Sequence, residues 1–468
     1  MNVKPSRRRF LASSAALAAT GLSTAGRSQV AAQDRSPAPI AATDVTVLLP
    51  RARVPLSFII DDSTCLVNMG HFCTPQFATA WPTRDEYKKP WKEWPREIPD
   101  AFVRQFGQWC AEHGVKGKYS IVPNPACVGW LDRELPGWSR RELTDSLKLV
   151  RDLMLPNWDI HPEMITHTRV IDLKTGRPIE AINAGTMENS YPQEQKSVDE
   201  LAAYLVYALR ILKNCDLPCE GITTPGGFGS KVKNELSMAV DQAVRDVYPD
   251  VDLPHYFKYV NSGDQSTEPK LEHLRGVDTE DVRLTVNVPA GTGDWFGGWQ
   301  GDRTSEADRY ATADGQSGRM VELIKRGQPA VMLCHWPGMY CQGALTGFRA
   351  FQRVVTSLNE TYRDQTLWMK VSEIGRYYTA KELTKVTSDA RGIHFNAPFA
   401  ANEFTIQFNT KGNPPQKMSL VLGDQQKPLE RAQSLASLKS GSMFVDGRKV
   451  VCCFDLPKGK CDLQVSSV

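Results

Sequence analysis

Residues 54–60, Val-Pro-Leu-Ser-Phe-Ile-Ile, form a short, almost wholly apolar run that stops abruptly at Asp61-Asp62. A run this short and this apolar predicts a buried strand, with the two carboxylates standing at its C-terminal end. Neighbouring carboxylates at a strand end point in different directions, so one can bind a cation while the other accepts a proton.

The segments that follow alternate in period. Residues 100–113 predict a helix with Phe102, Phe106, Trp109 and Cys110 on one face and Gly114 as its stop. Strands are predicted at 118–122, 158–165, 221–224, 282–288 and 330–334. Helices are predicted at 143–153, 199–212, 233–247 and 319–325, the second striped by Leu201, Leu205, Ala208 and Leu212. Alternation over this length predicts an α/β fold with parallel strands, whose active residues belong at the strands' C-terminal ends. Between the first strand and the first helix lies a predicted long loop with Trp81, Trp91 and Trp94. From about residue 388 short strand-like runs separated by Gly, Asn or Pro predict a small all-β domain over 388–468.

The N-terminus reads as an address. Ser6-Arg7-Arg8-Arg9-Phe10-Leu11 precedes a mildly apolar stretch, with small residues offering cleavage after Ala25 or Ala32. This is a twin-arginine pattern over residues 1–33, which implies the twin-arginine export machinery as a partner and a bacterial periplasmic or secreted location. Lys4, Arg7, Arg8, Arg9 and Arg27 are its ionisable side chains, and their removal takes the formal charge from +3 to about −2. That balance gives no phosphate-tracking surface, so no nucleic-acid partner is expected. No later run reaches the roughly 18 apolar residues of a membrane helix, so no span is expected in the mature chain. Among the 11 cysteines, Cys215 with Cys219 and adjacent Cys452-Cys453 lack the second pair of a zinc ribbon. Cys334 with Cys341 and Cys65 with Cys73 are possible disulfides, with buried free thiols the alternative.

Several segments could carry chemistry. Asp159-Ile-His161-Pro-Glu163-Met-Ile-Thr166-His167 gathers imidazoles and a carboxylate of the kind that bind a divalent cation such as zinc. Thr223-Thr224-Pro225-Gly226-Gly227 follows a predicted strand directly, and its glycines let backbone approach a substrate. Asp294, Trp295 and Trp299 lie in a glycine-rich stretch suited to a sugar pocket, where rings cover sugar faces. Val331-Met-Leu-Cys334-His335-Trp336 ends a buried strand in a histidine that could protonate a leaving group.

Taken in this order, the segments resemble the NodB-type polysaccharide deacetylases of carbohydrate esterase family four, over roughly residues 55–377. The family's Thr-Phe-Asp-Asp motif provides a base and then a metal ligand, and Ile59-Ile60-Asp61-Asp62 occupies its place. His167-Thr168 matches the start of its His-Thr-x-x-His motif, and Thr223-Thr224-Pro225 is similar to its Arg-x-Pro motif. Asp294-Trp295 and Leu333-Cys334-His335 are similar to its Asp-Trp and Leu-x-His motifs.

The resemblance implies a distorted β/α barrel over residues 45–385 that removes acetyl groups from a carbohydrate, followed by the all-β domain. It implies Asp61 and His335 as catalytic base and acid, and Asp62, His167 and His161 as ligands of a divalent metal, zinc by preference. Pro225, Gly226, Asp294, Trp295, Trp299 and Trp336 would contact the sugar. Two departures stand out: Ile171, then Asp172, where the second metal histidine belongs, and Thr223 in place of the arginine that orients the catalytic aspartate. The alternatives are a glycoside-cleaving enzyme using Asp61, Glu163 and Asp294, and a non-catalytic glycan-binding relative.

Overall fold

Strand Val54–Asp61 is buried along its whole length because other strands flank it in parallel: Gly117–Ile121, Ala330–His335 and, at its start, Thr366–Trp368. Trp158–Pro162 extends the same sheet beyond Gly117–Ile121. The computed structural model describes residues 42–62, 65–277, 279–299, 301 and 304–465, so the export segment 1–33 lies outside the described residues. A second sheet runs Gly221–Thr223, His255–Phe257 and Arg283–Asn287 in parallel, with Lys270–Arg275 added antiparallel. A parallel bridge between Glu163 and Thr223 links the two sheets on one side. On the other side the Gly291 N–H donates to the Val331 carbonyl at 2.8 Å.

Helices alternate with these strands as the periodicity predicts: Asp100–Glu112, Arg140–Leu149, Val198–Asn214, Lys233–Val247 and Arg319–Lys325. Arg140–Leu149 and Val198–Asn214 open with capping boxes, Ser139 with Glu142 and Ser197 with Glu200, which satisfy amides the first turn would leave unpaired. Beneath the strand ends, Phe58 stacks on Phe351 at 4.4 Å and meets Phe106, Trp158 and Phe296 at 6.0–6.2 Å. This aromatic nucleus fixes the strand that ends in Asp61.

Part of the predicted tryptophan loop is a helix, Met69–Ala80, capped by the Asn68 side chain accepting the Gly70 N–H at 3.1 Å. Gly70 and Pro75 weaken its pattern in the sequence, since both are poor helix formers. Two helices, Thr346–Tyr362 and Val371–Leu383, fill the stretch before the change of texture.

Beyond it lie two sheets, antiparallel except where the short strand Glu430–Arg431 joins the first in parallel beside Ser442–Asp446. One orders Ala42–Val47, Ala401–Thr410, Lys449–Leu456 and Ser442–Asp446, and the other Lys385–Ser388, Ile393–Ala397, Gly459–Val465 and Met418–Leu422. The segment Ala42–Val47, whose residues from 45 on are expected to open the barrel, pairs instead with the strand Ala401–Thr410. One apolar core joins Phe395, Phe404 and Phe454 of these sheets to Ile59, Val286, Val331 and Ile374. All 11 cysteines are free thiols, so neither Cys334 with Cys341 nor Cys65 with Cys73 is bridged. Among the described residues no helix is long and apolar enough to cross a membrane.

Candidate active site

Asp61 closes its strand in register with His335 on the neighbouring one, which brings a carboxylate and an imidazole to one sheet edge. The chain then turns sharply. Asp62 adopts a left-handed backbone (φ 51°), a conformation that costs energy in a residue with a side chain and clusters at functional sites. After the turn the two carboxylates have different partners, Lys118 and Ser120 for Asp61 and His167 for Asp62, and the Asp62 N–H donates to Glu163 Oε2 at 2.9 Å.

Glu163 and His167 come from the turn that follows strand Trp158–Pro162. Met164 and His167 are also left-handed (φ 53° and 63°), and one buried carboxylate holds the turn in place. Glu188 accepts the N–H groups of Ile165 (3.1 Å), Thr166 (3.0 Å) and His167 (2.5 Å), and the Tyr204 hydroxyl at 2.5 Å. Burial pushes the Glu188 carboxyl up to about 7, and these hydrogen bonds oppose the push.

Asp62, Glu163 and His167 converge, each offering one ligand atom within 4.8 Å of the others, all buried. His167 Nε2 lies 2.6 Å from Asp62 Oδ1 and 3.4 Å from Glu163 Oε1. Asp62 Oδ1 nevertheless has no aligned hydrogen-bond donor among the described residues, an uncommon state for a buried oxygen. Burial alone would depress the His167 imidazole, yet the Asp62 and Glu163 charges raise it well above its ordinary value. Burial likewise works against ionised Asp62, and His167 holds its carboxyl below the ordinary value. The pocket draws in positive charge, and two carboxylate oxygens with one imidazole suit a divalent cation.

His161 is not in this group. It sits within its strand opposite Ser120, two residues short of Glu163, and its ring turns towards the second sheet. There Nε2 lies 2.8 Å from His255 Nε2 and Nδ1 lies 3.3 Å from Thr223 Oγ1, against Gly221, where a Cβ would be 2.6 Å from Nε2. Burial holds His161 well below its ordinary value and His255 down to about 4. Asp159 completes this second convergence, but its two oxygens already accept the Ser372 N–H and hydroxyl at 2.7 Å each. Neither Ile171 nor Asp172 supplies the missing donor: Ile171 is buried in a short hairpin, and exposed Asp172 accepts the Lys174 N–H. Glu163, four residues before His167, is the side chain that stands with Asp62 and His167 instead.

Asp294 serves His335 rather than facing outward as a sugar contact. Its Oδ2 lies 2.8 Å from His335 Nδ1 and accepts the His335 N–H at 3.1 Å, while Oδ1 accepts the Phe296 N–H. Burial would lower the His335 imidazole, but the Asp294 hydrogen bond and the charges of Asp62, Asp294 and Asp61 raise it to about 9. Asp61 is gripped by Lys118 and by the Ser120 hydroxyl at 2.9 Å. Burial pushes the Asp61 carboxyl up, and the Lys118 charge opposes the push.

The predicted sugar contacts divide. Trp336 is wholly buried among Phe102, Phe106 and Tyr119, because the helix that starts there turns the ring into the core; it cannot meet a substrate. Trp299 is half-buried, with Phe77 at 5.6 Å and Tyr87 at 5.7 Å, and Phe77 lies 6.1 Å from the His167 ring. Half-buried Trp295 carries the Arg309 guanidinium 4.2 Å above its ring. Pro225 is buried and Gly226 exposed, in the turn that the Glu163–Thr223 bridge brings beside the pocket.

Motif reading passes over Lys118 and Glu188. The lysine has a local signal: a charge inside an otherwise apolar strand requires a buried counter-charge. Glu188 has none, since the amides it binds lie more than twenty residues earlier.

No protein-family model matches the chain, and no curated protein matches it. Among solved structures, one described as a glycoside hydrolase/deacetylase from Parabacteroides distasonis is 12% identical, covering 78% of this chain and 81% of its own, with a TM-score of 0.38. A structure described as an alpha-L-fucosidase from Bacteroides thetaiotaomicron is 13% identical over 92% of this chain and 96% of its own, with a TM-score of 0.32. The catalytic domain of GH30 xylanase C from Talaromyces cellulolyticus is 11% identical over 91% and 100%, with a TM-score of 0.26. None of these scores reaches the level of a shared fold.

Proposed function

We propose that the chain is an exported, metal-dependent hydrolase that removes acetyl groups from a carbohydrate. The observation that carries this reading is the convergence of Asp62, Glu163 and His167 on one buried point, with Asp61 and His335 on adjacent strand ends beside it. A divalent ion held there, zinc or a relative, supplies Lewis acidity towards a carbonyl oxygen and towards water.

The chain's own residues supply the rest. Asp61 accepts the proton of the attacking water. His335, held by Asp294 and raised to about 9, is charged at neutral pH and donates to the departing amine or hydroxyl. Trp299, packed against Phe77 and Tyr87 near the His167 ring, offers an apolar ring to a sugar face, with Trp295, Pro225 and Gly226 as further proposed contacts. The parallel strands, joined through the Glu163–Thr223 bridge and the Gly291–Val331 bond, are read as a distorted β/α barrel over residues 45–385. Residues 388–468 are read as an accessory all-β domain. Eleven free cysteines suit a chain that folds in a reducing compartment before twin-arginine export.

The test is product analysis of the chain lacking residues 1–33, with an N-acetylglucosamine tetramer and acetylated xylan as probes. Acetate release that a chelator abolishes and a divalent metal restores supports the proposal. New reducing ends without acetate, or no hydrolysis of either probe with metal present, contradict it.

A further inference from the structure

Lys118 is wholly inaccessible to water, as the second residue of strand Gly117–Ile121. Lysine is almost never buried unless a partner holds its charge, so its placement reports on that partner. Here the partner is Asp61. The ammonium donates to Asp61 Oδ1 and, at 2.7 Å, to the Ser120 hydroxyl, which itself donates to Asp61 Oδ1 at 2.9 Å. The strand register makes this possible. Lys118 pairs beside Ile59, two residues before Asp61, so its stem runs along the strand towards the carboxylate. The Phe257 ring, 5.1 Å from Nζ, closes its far side.

Both grips fall on one carboxylate oxygen. An aspartate at the end of a strand has two rotatable side-chain bonds, and a proton acceptor works only when one lone pair points at the reacting water. We infer that Lys118, assisted by Ser120, is the positioning residue of this site: it locks Asp61 Oδ1 and leaves Oδ2 to take the proton. The inference rests on the proposed role of Asp61 as base. Lys118 itself has no route to a substrate and acts only through Asp61.

The experiment is steady-state kinetics on the N-acetylglucosamine tetramer with metal-loaded wild type, K118M, K118R, S120A, D61N and the double variant D61N/K118M, each checked by thermal melting. K118M is expected to lose kcat by on the order of 10²-fold, the lower end of what a proton-transfer group contributes. KM should stay within about two-fold, because no substrate contact is removed. K118R should recover part of kcat, and S120A should lose a smaller factor. D61N/K118M should be no slower than D61N, because a residue acting through Asp61 has nothing left to position.

A K118M enzyme with wild-type kcat, or a K118M change that slows D61N by the same factor as wild type, overturns the inference. If K118M does not fold, S120A and K118R decide, and wild-type kcat in both overturns it. The functional proposal fails separately: D62N and H167A enzymes that keep wild-type turnover refute it whatever the Lys118 variants do.

Discussion

Asp61 and His335 stand in register on adjacent parallel strands, so the backbone sheet itself sets the spacing between the proposed proton acceptor and proton donor. Each is held from behind by a side chain of opposite charge, Asp61 by Lys118 and His335 by Asp294. Asp294 helps to keep His335 charged at neutral pH, and Lys118 opposes the burial that pushes the Asp61 carboxyl up.

His335 carries the first prediction. Its pKa is raised from the ordinary 6.5 to about 9, so the donor is lost above that pH and the rate should fall with an alkaline limb near 9. D294N removes the partner and should move that limb down by roughly one unit or more. The same shift acts on stability: a histidine raised in the folded state contributes fully below about 6.5, and that contribution is lost as pH rises through 9. Melting temperature against pH should show this decline in the wild type and a weaker one in H335Q.

Metal content tests the ligand set. Wild type should carry one tightly held divalent ion at this pocket, and D62A, E163Q and H167A should each weaken its binding by on the order of 10–100-fold or more. H161Q should melt lower, because a buried polar pair is broken, yet keep its metal. Elemental analysis after dialysis separates these outcomes, and metal loss in H161Q alone would return His161 to the first coordination sphere.

Glu188 gathers three backbone amides of the turn that carries both Glu163 and His167. E188A leaves those buried donors unpaired, at about 1–3 kcal/mol each before relaxation, so melting should fall by several degrees. Metal affinity should fall with it, although Glu188 is no ligand. Equal metal affinity in E188A and wild type would show that the turn holds its shape without the clamp.

The two tryptophans should respond in opposite ways. W299A removes a half-buried ring and should raise KM about ten-fold, the equivalent of ~1–1.5 kcal/mol of ring contact, with kcat little changed. W336A opens a cavity among Phe102, Phe106 and Tyr119 and should cost about 3–5 kcal/mol of stability with KM unchanged. Denaturant melts and Michaelis curves on both variants distinguish the roles.

The legible parts of the chain were those with period and length. Val54–Asp61, Val198–Asn214 and Lys233–Val247 appear where apolar spacing puts them, since burial of a face decides both sequence and structure. His255–Phe257 escaped because three residues give no period and, unlike Gly221–Thr223, no glycine turn motif follows it, and Met69–Ala80 because Gly70 and Pro75 mimic a loop. Strand Trp158–Pro162 ends three residues earlier than its apolar pattern, and that early turn decides the site: it brings Glu163 to the pocket and leaves His161 behind. Linear spacing cannot show which way a ring points. In the same way, Thr223 in place of an arginine looks like a lost contact to Asp61, whereas the cation comes from Lys118 on another strand.

Anomalous diffraction from crystals of the chain grown with zinc or manganese tests the central claim most directly. The account predicts one strong peak bounded by Asp62 Oδ1, Glu163 and His167 Nε2, at metal–ligand distances of about 2.0–2.2 Å for zinc. A peak between His161 and His255 with none at Asp62, or no peak at saturating metal, would contradict it.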